Sequence, residues 1–165
     1  MKRGKYIIIR GPLGVGKSTI AKKLARMLKA EYISLDTVLE ENGLDIIDKK
    51  QECILAKNFI KANNLILNEV KTALKKGKTV IFDGCFYHKE QIKHLGKNLG
   101  KGQVFNLKAP LSVCIKRDNQ RKRIYGKDSA KVVYNLVSKF DYGVNINTNK
   151  KTEKDVIKEI LKKLK

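Results

Sequence analysis

The sequence predicts an α/β domain of three layers, a five-stranded parallel sheet with helices on both faces. Three observations predict it. Short apolar runs alternate with amphipathic helical stretches along the whole chain. The first apolar run passes through a glycine-rich turn directly into a helix. The length, 165 residues, fits one domain and leaves little room for a second.

Taken in order, residues 6–9 (Tyr-Ile-Ile-Ile) form a β-branched run that reads as a buried strand. Residues 17–29 read as a helix with Ile20, Ala21, Leu24 and Leu28 on one face. A second strand is expected at 32–35, and a long helix over 51–76 that Gly77 ends as a C-cap. A third strand falls at 79–82, a helix at 89–99 stopping near Gly100, and a fourth strand at 104–107. Pro110 suits the first turn of a helix reaching about residue 123. A helix at 129–139, a fifth strand at 144–146 and an amphipathic helix at 153–164 complete the alternation. In such folds ligands sit beyond the carboxyl ends of the strands.

Composition narrows the class. No apolar run is long enough to cross a bilayer, and the apolar stretch after the charged start is too short for a signal core, so a cytoplasmic protein with no membrane partner is expected. Cys53, Cys85 and Cys114 are odd in number and contain no CxxC pair, which points to reduced thiols rather than disulfides or structural zinc. The net charge of +21 would attract polyanions, and nucleic acid is the obvious one. Lysine spread end to end in a chain rich in Asn and Ile is equally a product of genome composition or growth temperature, the reading preferred here over a nucleic-acid partner. His88 and His94 match no metal or triad spacing and are expected at the surface.

The chemistry is concentrated in a few segments. Residues 11–18, Gly-Pro-Leu-Gly-Val-Gly-Lys-Ser, fit the phosphate-loop pattern G-x-x-x-x-G-K-[ST] between a strand and a helix, as its mechanism demands. Backbone N–H groups of Gly11, Leu13, Gly14, Val15 and Gly16 would turn inward around the phosphates of a nucleoside triphosphate. Lys17 supplies charge to the β and γ phosphates, Ser18 a hydroxyl for Mg²⁺, Thr19 a contact to the α phosphate, and the helix N-terminus its dipole. Asp83 ends an apolar strand, where a carboxylate can hold the metal through water; an Asp-Gly turn with Gly84 is the alternative. Asp36 follows the second strand and suits a general base for an acceptor hydroxyl, or an N-cap, or both. Arg117, Arg121 and Arg123 stand at a helix end running into a polar loop. They are candidates to neutralise a transferring phosphoryl group, against the alternative of a solvated basic helix end. Arg117 and Arg121 share a helix face; Arg123 does not.

On these residues the chain resembles the P-loop kinase superfamily. Within it the chain is similar to the AAA_33-type and adenylylsulfate-kinase-like group, with relatives such as polynucleotide 5′-kinases, zeta-toxin-type kinases, chloramphenicol phosphotransferases, and shikimate and gluconate kinases. The resemblance covers nearly the whole chain. It implies the sheet order 2-3-1-4-5, ATP and Mg²⁺ as cofactors, and a mobile lid at about 117–130. It also implies an ATP-dependent phosphotransferase acting on a hydroxyl of a small-molecule, nucleoside, nucleotide or polynucleotide acceptor. Lys17 and Ser18 would serve ATP·Mg²⁺, Asp36 the acceptor and Asp83 the metal. Arg117 would lie against the adenine, Arg121 or Arg123 would reach the phosphates, and the stretch ending at Thr148 would border the base. Phe86 and Tyr87, beside Gly84, would line the acceptor site, or pack under the next helix. Relatives often carry an arginine where Lys89 and Lys93 stand, and Asp where Asn147 stands. The competing function is a nucleotide-hydrolysing regulatory or nucleic-acid-associated ATPase. The guanine-reading N-K-x-D segment and the L-S-G-G-Q-like signature are absent from the sequence.

Overall fold

The computed structural model describes residues 4–122 and 124–165. Strand β1 (Tyr6–Arg10) is buried along its length at the centre of a five-stranded parallel sheet. It pairs with β5 (Val80–Gly84) on one side and β6 (Gln103–Lys108) on the other. Outside these lie β2 (Glu31–Ser34) and β7 (Val144–Asn147). A separate antiparallel pair, β3 (Ile47–Asp48) and β4 (Cys53–Ile54), was not expected. Its presence corrects the expected strand numbering from 2-3-1-4-5 to β2-β5-β1-β6-β7. The spatial succession of the five parallel strands, counted among themselves, is the one anticipated.

Period-two alternation divides the core between the two faces of the sheet. Tyr6 and Ile8 of β1 join Val80, Phe82 and Val104 in one cluster. It is covered by α2 (Leu35–Glu41), α3 (Ala56–Lys75), α4 (Lys89–Leu99) and α6 (Lys127–Ser138). Ile7 and Ile9 join Ile81, Phe105 and Leu107 in the other, under α1 (Lys17–Leu28), α5 (Leu111–Asn119) and α7 (Glu153–Lys163). The long helix expected over 51–76 starts only at Ala56. Its first residues turn instead, because the Asp48 carboxylate accepts from the N–H groups of Lys50 (3.0 Å) and Gln51 (2.9 Å), and Glu52 takes a left-handed φ of 53°. Helix α2 was also missed. Its N-cap is Ser34, whose hydroxyl accepts from Thr37 N–H at 3.3 Å, so Asp36 stands inside the first turn and is not the cap.

Helix α5 stops at Asn119, short of residue 123. Buried Asp118 accepts from the N–H groups of Tyr125 and Gly126, each at 3.1 Å, and turns the chain toward α6. His88 and His94 are half-buried, not fully at the surface. The His88 ring meets Ile54 O at 2.7 Å and lies against Phe59 and Tyr87. Among the described residues no helix is long and apolar enough to cross a membrane.

Candidate functional site

The turn after β1 is shaped by what presses on it. A side chain at Gly14, where φ is 76°, would put its Cβ 2.0 Å from the Cys114 carbonyl oxygen, so α5 packs directly on the loop backbone. Gly16, with φ 103°, caps α1 without any side-chain hydrogen bond. The first turn of α1 holds no acidic residue. Its N–H groups and dipole are therefore available to an anion. Lys17 is 3% exposed, and its ammonium donates to the Pro12 carbonyl at 2.8 Å. The lysine is thus folded across the loop that its charge would serve.

Asp83 is 3% exposed and stands in register with Ile9 of β1 and Ser34 of β2. The Tyr32 hydroxyl donates to its Oδ2 at 2.7 Å. Burial, and then that bond, raise the Tyr32 pKa above the ordinary tyrosine range. Sequence reasoning did not single out Tyr32, because only the parallel register of β2 and β5 brings it to Asp83. A magnesium ion fits this donor set. Mg²⁺ takes oxygen ligands, retains water, and is held by one or two carboxylates plus substrate phosphates. Ser18 and Asp83 offer a hydroxyl and a carboxylate of that kind. Among the described residues no group of three or more His, Cys, Asp or Glu could hold an ion by itself.

Two cavities meet at this loop. One, of about 580 Å³, is bordered by Gly14, Val15, Gly16, Thr19, Arg117, Arg121 and Thr148. Arg117 is fully engaged there. Its two terminal nitrogens donate to Thr148 Oγ1 (3.0 Å) and Thr148 O (3.1 Å), and one also reaches Val15 O (3.3 Å). Thr148 is 4% exposed, and its N–H donates to Lys108 O at 2.8 Å. This clamp ties β7's end to the phosphate loop and makes Arg117 a wall of this cavity. Arg117 borders this cavity and not the one that contains Asp36. Arg121 borders the same wall, 3.9 Å from the Asp118 carboxylate. Arg123 lies outside the described residues.

The second cavity, of about 470 Å³, is bordered by Leu13, Asp36, Leu39, Phe59, Cys85 and Tyr87, with Tyr125, Asp128 and Val133 opposite. Tyr87, expected to line the acceptor site, borders this cavity. Its hydroxyl accepts from Ile54 N–H at 3.1 Å and its ring stands edge-on to Phe59, so it also anchors the β3–β4 hairpin. Phe86 does not line the cavity. It is 0% exposed in the core, with φ 47°, which settles its two readings in favour of packing. Gly84 is likewise not a lining residue. A Cβ there would meet Leu35 and the Phe86 ring at 3.2–3.3 Å, so the position serves close packing. Burial pushes the Cys85 thiol up to about 11.

Arg10 is the buried polar residue the sequence concealed. Lying in a strand pattern next to Gly11, it reads as a polar edge residue, yet it is 0% exposed. Its guanidinium donates to Phe86 O (3.0 Å), Asn106 Oδ1 (3.0 Å), Phe140 O (3.2 Å) and Val137 O (2.8 Å), and stacks 4.2 Å from the Phe140 ring. Burial lowers its pKa to about 10. It joins the loop after β5 to the end of α6.

The AAA_33 family (AAA domain) matches residues 7–139. A shikimate kinase of Francisella tularensis subsp. holarctica is 28% identical, over 97% of this chain and 94% of its own length. Among solved structures, a sugar kinase from Janibacter sp. matches with TM-score 0.76 at 13% identity, over 96% of this chain and 93% of that one. An APS kinase of Mycobacterium tuberculosis, in complex with AMPPNP and APS, matches with TM-score 0.67 at 15% identity, over 98% of each chain. At these identities the two structures speak for the fold.

Proposed function

The chain belongs to the AAA_33 family of AAA domains, and from that premise we propose that it is an ATP-dependent phosphotransferase with an alcohol group as acceptor. One observation carries this reading: the phosphate loop is the partition between two cavities, with Gly14 facing one and Leu13 the other. A nucleotide on one side thus presents its terminal phosphate to whatever fills the other. A hydrolysing switch has no use for the second cavity.

In this reading the Lys17 ammonium leaves the Pro12 carbonyl for the β and γ phosphates. Backbone N–H groups of Gly11 and residues 13–16 and the N-terminus of α1 hold the phosphate chain. Arg117 and Thr148 form the wall against the nucleoside. Ser18 and Asp83 would hold Mg²⁺, which would supply positive charge for the transferring group. Asp36 takes the proton of the acceptor hydroxyl as its oxygen bonds to the γ-phosphorus and the bridging P–O bond to ADP breaks.

The test is Asp36→Asn, which keeps the shape and removes the base. It is expected to bind ATP·Mg²⁺ like the natural protein and to lose about 10²–10⁴-fold in transfer of labelled γ-phosphate. Transfer at the natural rate would remove Asp36 from the role of base.

A further inference from the structure

One buried carboxylate of the fold is only half satisfied. Asp118 lies in the last turn of α5 and is 1% exposed. Its Oδ2 accepts from the N–H groups of Tyr125 and Gly126, each at 3.1 Å, which fixes the carboxylate in place. Its Oδ1 is buried as well and accepts no hydrogen bond among the described residues. A buried charged oxygen left open is costly, so such an atom calls for a partner. The Arg121 guanidinium stands 3.9 Å from Oδ1, within the range of charge attraction and beyond that of a hydrogen bond.

Arg121 follows the end of α5 at Asn119 and borders the nucleotide cavity beside Gly14, Gly16, Thr19 and Arg117. The two arginines differ in what holds them. Arg117 gives its terminal nitrogens to Thr148 and Val15. Arg121 has a side chain 31% exposed, makes no side-chain hydrogen bond among the described residues, and has its ion pair there with Asp118. Its donors are uncommitted at a wall whose other members, the phosphate loop and the N-terminus of α1, suit an anion. An unheld arginine loses rotamer freedom when it grips a phosphate. A fixed carboxylate behind it removes part of that freedom in advance.

We infer that Asp118 is a positioning residue for the phosphate chain: it holds Arg121 at the border of the nucleotide cavity. One edge of the guanidinium closes on Oδ1 as the other edge donates to a phosphate oxygen. This rests on the placement of the nucleotide in the reading above. Asp118 itself does not touch the nucleotide. Its charge alone would repel a triphosphate, but the guanidinium standing beside Oδ1 offsets that field, so the hold on Arg121 outweighs the repulsion.

The test is a double-mutant cycle read with two ligands on the full chain. Calorimetry gives the Kd of ATP·Mg²⁺, and competition against it gives that of AMP, which lacks the outer phosphates. Asp118→Asn keeps an oxygen for the N–H groups of Tyr125 and Gly126 and replaces the open Oδ1 with an amide nitrogen. Arg121→Ala is expected to weaken ATP·Mg²⁺ by about tenfold, and Asp118→Asn by about threefold to fivefold, with AMP changed by less than about twofold in both. In the Arg121→Ala background, Asp118→Asn should change the Kd of ATP·Mg²⁺ by less than about twofold. Arg121→Lys, which keeps the charge and loses the fork, should weaken ATP·Mg²⁺ by about threefold or more, and it carries the test if Asp118→Asn does not fold. Three results overturn the inference. Tighter ATP·Mg²⁺ binding in Asp118→Asn would mean that the carboxylate acts through its field. Equal losses for ATP·Mg²⁺ and AMP would mean that it only shapes the turn. An undiminished effect in the Arg121→Ala background, or natural affinity in Arg121→Lys, would mean that it does not act through that guanidinium. A natural chain that binds no ATP·Mg²⁺ sinks the phosphotransfer reading along with this one, whereas a chain that binds it with unaltered variants sinks this one alone.

Discussion

The nucleotide cavity and the acceptor cavity share one loop and are built in different ways. The first is made mainly of backbone: inward N–H groups, a helix N-terminus, and glycines that nothing else can replace, as the 2.0 Å approach of Cys114 to a Cβ at Gly14 illustrates. Phosphate is the same in every nucleotide, so a fixed backbone cradle serves it. The second is made of side chains from α2, the β3–β4 hairpin, α3, the loop after β5 and α6. Specificity for an acceptor resides in such side chains, and they can change without disturbing the cradle. The difference teaches that phosphate binding and acceptor selectivity in this protein are physically separable.

The largest break in that separation comes from Lys17→Ala. The ammonium serves the nucleotide side, yet transfer to every acceptor should fall by about 10²–10³-fold or more, because the charge acts on the group in flight. Steady-state assays with any accepted alcohol check it, and acceptor binding measured without nucleotide should be unchanged. A variant that turns over normally would detach the loop from catalysis.

Cys85 reports on the wall of the second cavity. Burial holds its thiol at about 11 against an ordinary 9.0, so at pH 8 its thiolate is roughly 100-fold scarcer than that of a free cysteine. Alkylation by iodoacetamide, followed by peptide mapping, should be slow at pH 8 and rise about tenfold per pH unit with no plateau below about 11. The linkage has the matching sign: a protonated thiol favours the fold below pH 9, and that advantage is lost as pH climbs toward 11. Rapid labelling at neutral pH would contradict the burial.

Arg117→Ala tests the other side. Losing the bonds to Thr148 and Val15 should raise the KM for nucleotide by about tenfold and leave acceptor Kd unchanged, as separate KM measurements would show. An equal effect on both substrates would mean that the clamp shapes the whole site.

How much of this was legible follows from how each cavity is built. The phosphate loop is contiguous, so residues 11–18 carry their geometry in their own order, and the strands on either side are plain apolar runs. Arg117 and Thr148 were reached through resemblance and one helical turn of spacing, but their mutual bonds depend on β7 lying beside β6. Arg10 was hidden because a single polar residue in an apolar strand gives no sign that Val137, Phe140 and Phe86 will turn their carbonyls toward it. Residues 51–55, which hold β4, were read as the start of a helix, and the Asp48 turn overrides that reading. Phe86 was ambiguous until its left-handed backbone turned the ring into the core. Contacts between distant segments, and side-chain satisfaction of backbone groups, are what a single sequence leaves unstated.

Tyr32→Phe gives the smallest expected effect and sharpens the comparison most finely, because Tyr32 borders neither cavity and its hydroxyl donates to Asp83. The ring stays, with its Lys22 neighbour 5.7 Å away, and only the hydroxyl is lost. Asp83, 3% exposed, then loses a donor at 2.7 Å, which should lower stability by about 1 kcal/mol in the nucleotide-free protein. If Asp83 faces magnesium-bound water, ATP·Mg²⁺ supplies the missing donor. The melting-temperature deficit of the variant should therefore narrow when ATP·Mg²⁺ is added, and acceptor probes alone should leave it as it was. A deficit equally large under all three conditions would make Asp83 a structural partner of Tyr32 and leave Ser18 and the phosphates to hold the ion. Such a result would move the border between the two cavities away from β5 and onto the phosphate loop itself.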